Sequence, residues 1–462
     1  MLKRWLAIFF LLCAIPALAK QPALPDTPAG RAFGAYLAAF NSQDVEKIRA
    51  FGKAFHWDVP PEGPAQWSRV ISGMRLLRVL DSRPDELTAL VEQGASEQVM
   101  KATVKTGGKY LFVGFDLADR PADLAIPRLS QQQAVAALAQ RAQGLAAQDK
   151  MSGVLLIARH GQIIFERAWG LADRRGKTPN TLETKFRIAS LDKMFTAVAI
   201  LQLTEQGKVS LQGKVGDYLP DYPNKKIATE VTIRELLNHT GGTGEAFTAQ
   251  YMAHRTQVRT LADYVTLFGT RGPDFAPGSK DDYSNYGYVL LGRIVERVSG
   301  ISYYDYVQRH IFDPTGMKDT GALPETTPVP GRAAGYTWRN GRWSDSADTL
   351  PWRGTSAGGG YSTAPDLLRF ALALQAGKLI PSGLLAQATL PQNNGHWYGY
   401  GFETHGAGAT RYFSHSGGAY GSNAEFRVYP KLGVVAIGLC NLDPNVCTDL
   451  IEWYANRMPA AP

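Results

Sequence analysis

Apolar residues recur at helical spacing over residues 30–55. Phe33, Tyr36, Leu37 and Phe40 share one face, and Val45, Ile48, Phe51 and Phe55 continue it after a break at Asn41-Ser42. Shorter runs with strand character follow at 76–80, 87–92, 99–104 and 110–115. Turn-forming residues at 81–84, Gly94-Ala95 and Gly107-Gly108 separate them. Helices followed by antiparallel strands predict a small α+β unit over residues 20–125. A proline-containing linker at 121–127 then leads to an Ala/Gln-rich helix at 131–148, favoured by propensity.

Over residues 126–462 the pattern predicts a second, larger domain. Strands at 154–158 and 163–168 flank the hairpin signal His160-Gly161. The run Phe186-Arg187-Ile188-Ala189 reads as a strand that stops at Ser190, and helical spacing begins at once with Met194, Phe195, Val198 and Leu201. Thr232 and Glu235 have the spacing of a capping box. Helices are expected at 260–268, 288–298 and 303–311, the last broken by Asp313-Pro314, and a further one runs to Leu374. Strand pieces lie at 333–338 and 341–343. The last section holds strands at 400–404, 412–415, 424–429 and 433–439 and a helix at 448–457. Together they predict an antiparallel sheet with the first hairpin beside the C-terminal strands and helices covering it.

Composition adds scale and address. With 462 residues, 45% of them hydrophobic and 19% charged, the chain can bury a sizeable core and exceeds one typical domain. Lys3 and Arg4, an apolar run at 6–14 and Pro16-Ala17-Leu18-Ala19 form the layout of a secretory signal peptide over residues 1–19. No later stretch is apolar enough to span a bilayer, so the expected location is periplasmic or secreted, with no transmembrane span in the mature chain. The net charge of +8 is dispersed, without the basic block that tracks nucleic acid. Cys440 and Cys447 follow the leader, and export permits either a disulfide between them or two free thiols. No thiolate cluster or His-Glu-x-x-His motif calls for a metal, and no motif calls for a cofactor.

Three separated stretches carry candidate chemistry. Ser190 stands at a helix N-terminus, where unpaired N–H groups favour developing negative charge, and Lys193 can reach the same face. A hydroxyl attacks well only when a neighbour takes its proton, and an amine can do so. In Tyr283-Ser284-Asn285, the phenol can relay a proton if its environment tunes it, and the amide can orient Lys193 or a substrate carbonyl. In His415-Ser416-Gly417-Gly418, a strand edge of small residues can offer N–H groups to an oxyanion, with His or Ser side chains facing a ligand. Gly358-Gly359-Gly360 suggests a close backbone approach or tight packing of two elements. His239, at the end of a helix, reads as a structural residue holding the following loop, and Asp192 as a solvent-facing residue of the first turn.

The order and placement of these stretches resemble the penicillin-recognising serine hydrolases, more narrowly their class C β-lactamase-like branch, which also contains DD-peptidases, D-aminopeptidases and esterases. Thr232-Ile233-Arg234-Glu235-Leu236-Leu237-Asn238-His239-Thr240, Pro277-Gly278 before Tyr283, and Ile311-Phe312-Asp313-Pro314 extend the resemblance over about residues 145–455. It implies an α/β (α+β) fold of beta-lactamase/transpeptidase-like type, an antiparallel sheet flanked by helices plus an all-helical region. The first unit looks like a nuclear-transport-factor-2-like (NTF2-like) domain, given no chemistry here. The resemblance implies that Ser190 forms an acyl-enzyme, that Lys193 and Tyr283 move its proton, with the base between them open, and that Asn285 contacts Lys193 and substrate. It places the oxyanion hole at the N–H groups of Ser190 and Gly418. His415 stands where the lactamases have Lys, and Ser416 where they often have Thr. Because His is mostly neutral at pH 7, the expected substrate is a small ester or a D-amino-acid-containing peptide; a true β-lactamase or DD-carboxypeptidase, or a catalytically silent binding protein, is the alternative.

Overall fold

Thr27 opens the first helix by accepting the Gly30 N–H at 3.0 Å, with Pro28 in the first helical position, where no N–H is needed. The computed structural model describes residues 22–339 and 341–461, so the expected signal peptide lies outside the described residues. The chain divides into two units, Met1–Leu124 and Ala125–Pro462.

In the first unit, α1 (Pro28–Asn41), α2 (Val45–Phe55) and α3 (Glu62–Val70) precede the strands β1 (Met74–Ser82), β2 (Glu86–Gln93), β3 (Val99–Lys105) and β4 (Phe112–Leu117). The strands pair consecutively and antiparallel. Tyr36 sits inside an aromatic core, with the rings of Phe40 and Trp57 at 5.5 Å and Phe51 at 5.7 Å. The sequence pattern does not predict α3. Its first turn holds Gly63 and Pro64, which lower intrinsic helicity but are tolerated there because those N–H groups need no helical partner.

The second unit begins with α4 (Gln131–Ala147), opened by a Ser130/Gln133 capping box, then β5 (Gly153–Arg159), β6 (Gln162–Trp169) and β7 (Phe186–Ala189). Next come α5 (Asp192–Glu205), α6 (Ile233–Leu237), α7 (Asn285–Ser299), β8 (Gly360–Ser362) and α8 (Ala364–Gln375). The chain closes with β9 (Glu403–His405), β10 (Tyr412–Ala419), β11 (Ser422–Tyr429), β12 (Val434–Cys440) and α9 (Val446–Ala455). The main sheet is antiparallel, in the order β9-β10-β11-β12-β5-β6. Both faces of its centre are covered. Val154, Leu156 and Ala158 of β5 pack into the core that holds α5 and α8, while Leu155 and Ile157 pack into the one that holds α4 and α9. A strand buried on both faces reads as a continuous apolar run. A disulfide joins Cys440 at the end of β12 to Cys447 in α9 and closes the loop between them.

Three boundaries differ from the sequence reading. The 303–311 helix does not break at Asp313-Pro314; it passes through a π-turn at Gln308–Phe312 into one more turn, because the proline falls in the first turn of that last piece. The strand expected from residue 400 begins at Glu403, and β10 runs on through the small residues to Ala419. No helix of the described residues is long and apolar enough to cross a membrane.

Candidate active site

The turn from β7 into α5 is sharp. Ala189 adopts φ +45°, a left-handed conformation that costs a residue with a Cβ about 1 kcal/mol or more. It delivers half-buried Ser190 to the start of a helix whose residues from Asp192 to Leu203 are all buried. Helical partial charge is therefore focused on the Ser190 position.

Lys193 is fully buried. Its Nζ donates to Asn285 Oδ1 at 2.7 Å and to the Ala357 carbonyl at 2.6 Å, and lies 3.4 Å from Ser190 Oγ. Burial pushes the amine down to about 7, although the charges of Glu245 and Asp192 oppose the shift. A neutral amine has two protons and one lone pair. The two short contacts use the protons, and the lone pair is left for the Ser190 side.

Tyr283 and Asn285 are set by the start of α7. Ser284 caps that helix, accepting Gly287 N–H at 2.9 Å and donating to the Gly244 carbonyl at 2.5 Å. Its own N–H donates to His239 Nδ1 at 3.1 Å, so the His239 ring, its centroid 4.2 Å from that of Tyr283, holds this turn in place. Tyr283 lies beside Ser190, and the Lys193 amine lies 4.6 Å from its ring centroid. Burial holds the phenol well above its ordinary value; the Ser190 side chain opposes this, while Glu403 and Glu245 reinforce it. Tyr283 therefore keeps its proton at neutral pH. Asn285 donates through Nδ2 to Glu245 Oε2 at 2.7 Å, which turns Oδ1 toward Lys193. Glu245 is itself fixed by the N–H groups of Ala246 and Phe247 at 2.6 and 2.7 Å.

On the far side runs β10. A Cβ on Gly417 would meet the Ile188 carbonyl at 2.3 Å, so this glycine lets β10 pass against the turn that carries Ser190. Gly418 is exposed and packs under Pro444 of the disulfide-closed loop, where an added Cβ would meet the ring at 2.9 Å. Asp443 of the same loop accepts from Gly421 N–H at 2.9 Å and Trp338 N–H at 2.8 Å. His415 departs from the expected ligand-facing side chain. It is 1% exposed; its Nδ1 donates to the Ser416 carbonyl at 2.7 Å, which leaves Nε2 to accept from Tyr398 at 2.9 Å. Burial lowers its pKa against the pull of Glu403, so the ring is neutral at pH 7. Ser416 donates its hydroxyl to Glu403 Oε1 at 3.0 Å. Burial alone would raise Glu403, but the neighbouring His405 and His415 rings and the Ser416 N–H hold its carboxyl well below the usual range.

Asp192 is a correction: it is buried, not solvent-facing. Its carboxylate accepts the Gly360 N–H at 2.6 Å, and burial pushes it up to about 7. This contact accounts for the glycine run, because a Cβ on Gly360 would lie 2.7 Å from that carboxylate and Gly359 has φ +99°. The segment is pinned along α5 by the Gly359 N–H bond to the Ala189 carbonyl and by Thr196 Oγ1 to the Ser356 carbonyl, so the Ala357 carbonyl faces Lys193. Sequence reasoning missed Glu245 and Glu403. Glu245 ends the run Gly241-Gly242-Thr243-Gly244, a faint signal of a shaped loop, whereas nothing near Glu403 marks it.

Against known proteins, a family model described as Beta-lactamase matches residues 133–457. Penicillin-binding protein 4* of Bacillus subtilis (strain 168) is 37% identical over 180 residues, which are 38% of this chain and 39% of that protein. Esterase EstB of Burkholderia gladioli is 31% identical over 299 residues, 58% of this chain and 75% of that protein. The crystal structure of a penicillin binding protein from Bacillus halodurans superposes with a TM-score of 0.62 at 30% identity, covering 67% of this chain and 98% of that one. The chain thus spans well under two-thirds of the Bacillus subtilis relative. The family match covers most of the chain and contains Ser190, Lys193, Glu245, Tyr283, Asn285, Glu403 and the whole of β10, and on that ground the chain belongs to the beta-lactamase family.

Proposed function

We propose that the protein is an exported serine hydrolase that works through an acyl-enzyme on Ser190 and acts on a small ester or a D-amino-acid-containing peptide. The observation that carries this is the Lys193 amine, buried, pushed down to about 7, and holding two short hydrogen bonds that leave its third position toward Ser190 Oγ. Ser190 Oγ attacks the substrate carbonyl as its proton passes to Lys193. The oxyanion is met by the N–H groups of Ser190 and Gly418. Tyr283, which keeps its proton, supplies one to the leaving group and recovers it from Lys193. Water then attacks the ester carbonyl of the acyl-enzyme by the reverse relay, releasing the acid and Ser190. Ester substrates agree with the neutral, buried His415 and with the likeness to EstB. The relatives named penicillin-binding proteins make β-lactam acylation the second reading. The Cys440–Cys447 disulfide fits an oxidising compartment, and residues 20–125 act as an accessory domain.

Intact-mass measurement after incubation with a fluorophosphonate or a penicillin tests the acyl-enzyme. A single adduct on the wild type and none on Ser190→Ala is expected; an unmodified wild type beside a labelled control hydrolase overturns the reading. Turnover of p-nitrophenyl butyrate, a D-alanyl dipeptide and nitrocefin by the same preparation ranks the substrate classes.

A further inference from the structure

The edge strand β9 covers only part of β10. It pairs Glu403, Thr404 and His405 with Ser414, Phe413 and Tyr412, and then ends, so the edge beyond Ser414 is open to whatever lies along it. Successive N–H groups of a strand point to alternate edges, so those of Ser416 and Gly418 face the same open edge, about 7 Å apart. At the Ser416 step the edge is already filled. Glu403 Oε1 accepts both the Ser416 N–H at 3.3 Å and the Ser416 hydroxyl at 3.0 Å, and Oε2 accepts from Ser414 Oγ at 3.1 Å. The carboxylate has His415 Nδ1 at 3.9 Å and His405 Nε2 at 3.8 Å beside it, but the first of these nitrogens is spent on the Ser416 carbonyl and the second belongs to a half-exposed ring. On the opposite flank Glu245 holds Asn285. A carbonyl oxygen received by the Gly418 N–H thus places its neighbouring atoms beside a fixed carboxylate and a hydroxyl that has already given its proton away.

Resting on the serine-hydrolase reading above, we propose that Glu403 is a specificity-determining residue that turns away substrates bearing a carboxylate on the part lying along β10 and restricts the enzyme to esters or amides that are uncharged there. Like charges a few ångströms apart on a partly buried edge repel strongly enough to shift selectivity by about tenfold or more, and added salt weakens that repulsion where solvent reaches it.

Two pairs of esters that differ only in charge test this: 3-carboxyphenyl butyrate against its methyl ester, and mono-p-nitrophenyl succinate against its methyl ester. In the wild type the neutral member of at least one pair is expected to lead by about tenfold in kcat/KM. In Glu403→Gln, which keeps an oxygen for the Ser416 N–H, the ratio within that pair narrows to about threefold or less, and in the wild type 0.5 M salt narrows it in the same direction. The ratio is internal to each preparation, so a general loss of activity in the variant leaves it readable, and the wild-type salt series stands even when the variant does not fold. Equal turnover of both members in both pairs, or a preference that neither Glu403→Gln nor salt alters, overturns the proposal. Failure of every ester together with an unlabelled Ser190 overturns the hydrolase reading on which it rests.

Discussion

The two flanks of the site handle charge in opposite ways. On the α5 side, the Lys193 amine is hydrogen-bonded to neutral acceptors, the charges of Glu245 and Asp192 offset only part of the effect of burial, and a proton can come and go near neutral pH. On the β9–β10 side, Glu403 is surrounded by donors that keep it ionised, and the adjacent histidine is kept neutral. Both flanks are buried, so burial alone does not decide the protonation state. What decides it is whether the neighbours stabilise the charged form. One flank can carry a moving proton, while the other sets a standing field.

The largest expected effect comes from removing the mobile proton. Lys193→Met should lower kcat/KM for an activated ester by about a thousandfold or more, measured against a wild type of equal thermal stability. In the wild type, kcat/KM should rise with pH through about 7 and level off above it, because the amine must be unprotonated to accept the serine proton. A rate that shows no limb near 7 and is still rising above pH 10 would transfer the base role to Tyr283. An intermediate effect is expected at the contact between Glu245 and Asn285. Glu245→Ala frees the Asn285 amide to turn, and kcat/KM should fall about ten- to a hundredfold. Glu245 also favours the charged form of Lys193, so the same substitution should move the pH limb downward, which a mere packing defect would not do. The smallest effect is on stability. In Gly360→Ala, the new methyl meets the Asp192 carboxylate, and the melting temperature should fall by an amount equivalent to about 1–3 kcal/mol. An unchanged melting temperature would mean that the 354–360 segment relaxes without loss.

Much of the helical and strand content was legible because amphipathic and doubly buried segments leave periodic traces, as in α1 and β5. The proximity of Ser190 and Lys193 was legible for a related reason: it is local, one turn of helix bringing two side chains together. Asp192 was misread because a carboxylate in a first helical turn is commonly exposed, and only the glycine segment more than a hundred residues later buries it. Glu245 and Glu403 were invisible for the same cause. A lone glutamate in a loop carries no period, and its function comes from an amide or a strand edge brought to it by the fold. His415 was identified as a departure from lysine, but its inward orientation depends on Tyr398, which no local pattern connects to it.

The clasp on Lys193 also bears on how the molecule is made. The groups that grip the amine lie 92 and 164 residues farther along the chain. Contacts of such long range form only after the intervening chain has closed on itself, and they are slow to assemble. On the proposed reading, a nascent or half-folded chain carries the serine but lacks the surroundings that lower its partner's basicity, so it is expected to be chemically quiet. The rate at which labelling of Ser190 appears during refolding should then follow the slowest step of tertiary assembly, not the formation of α5.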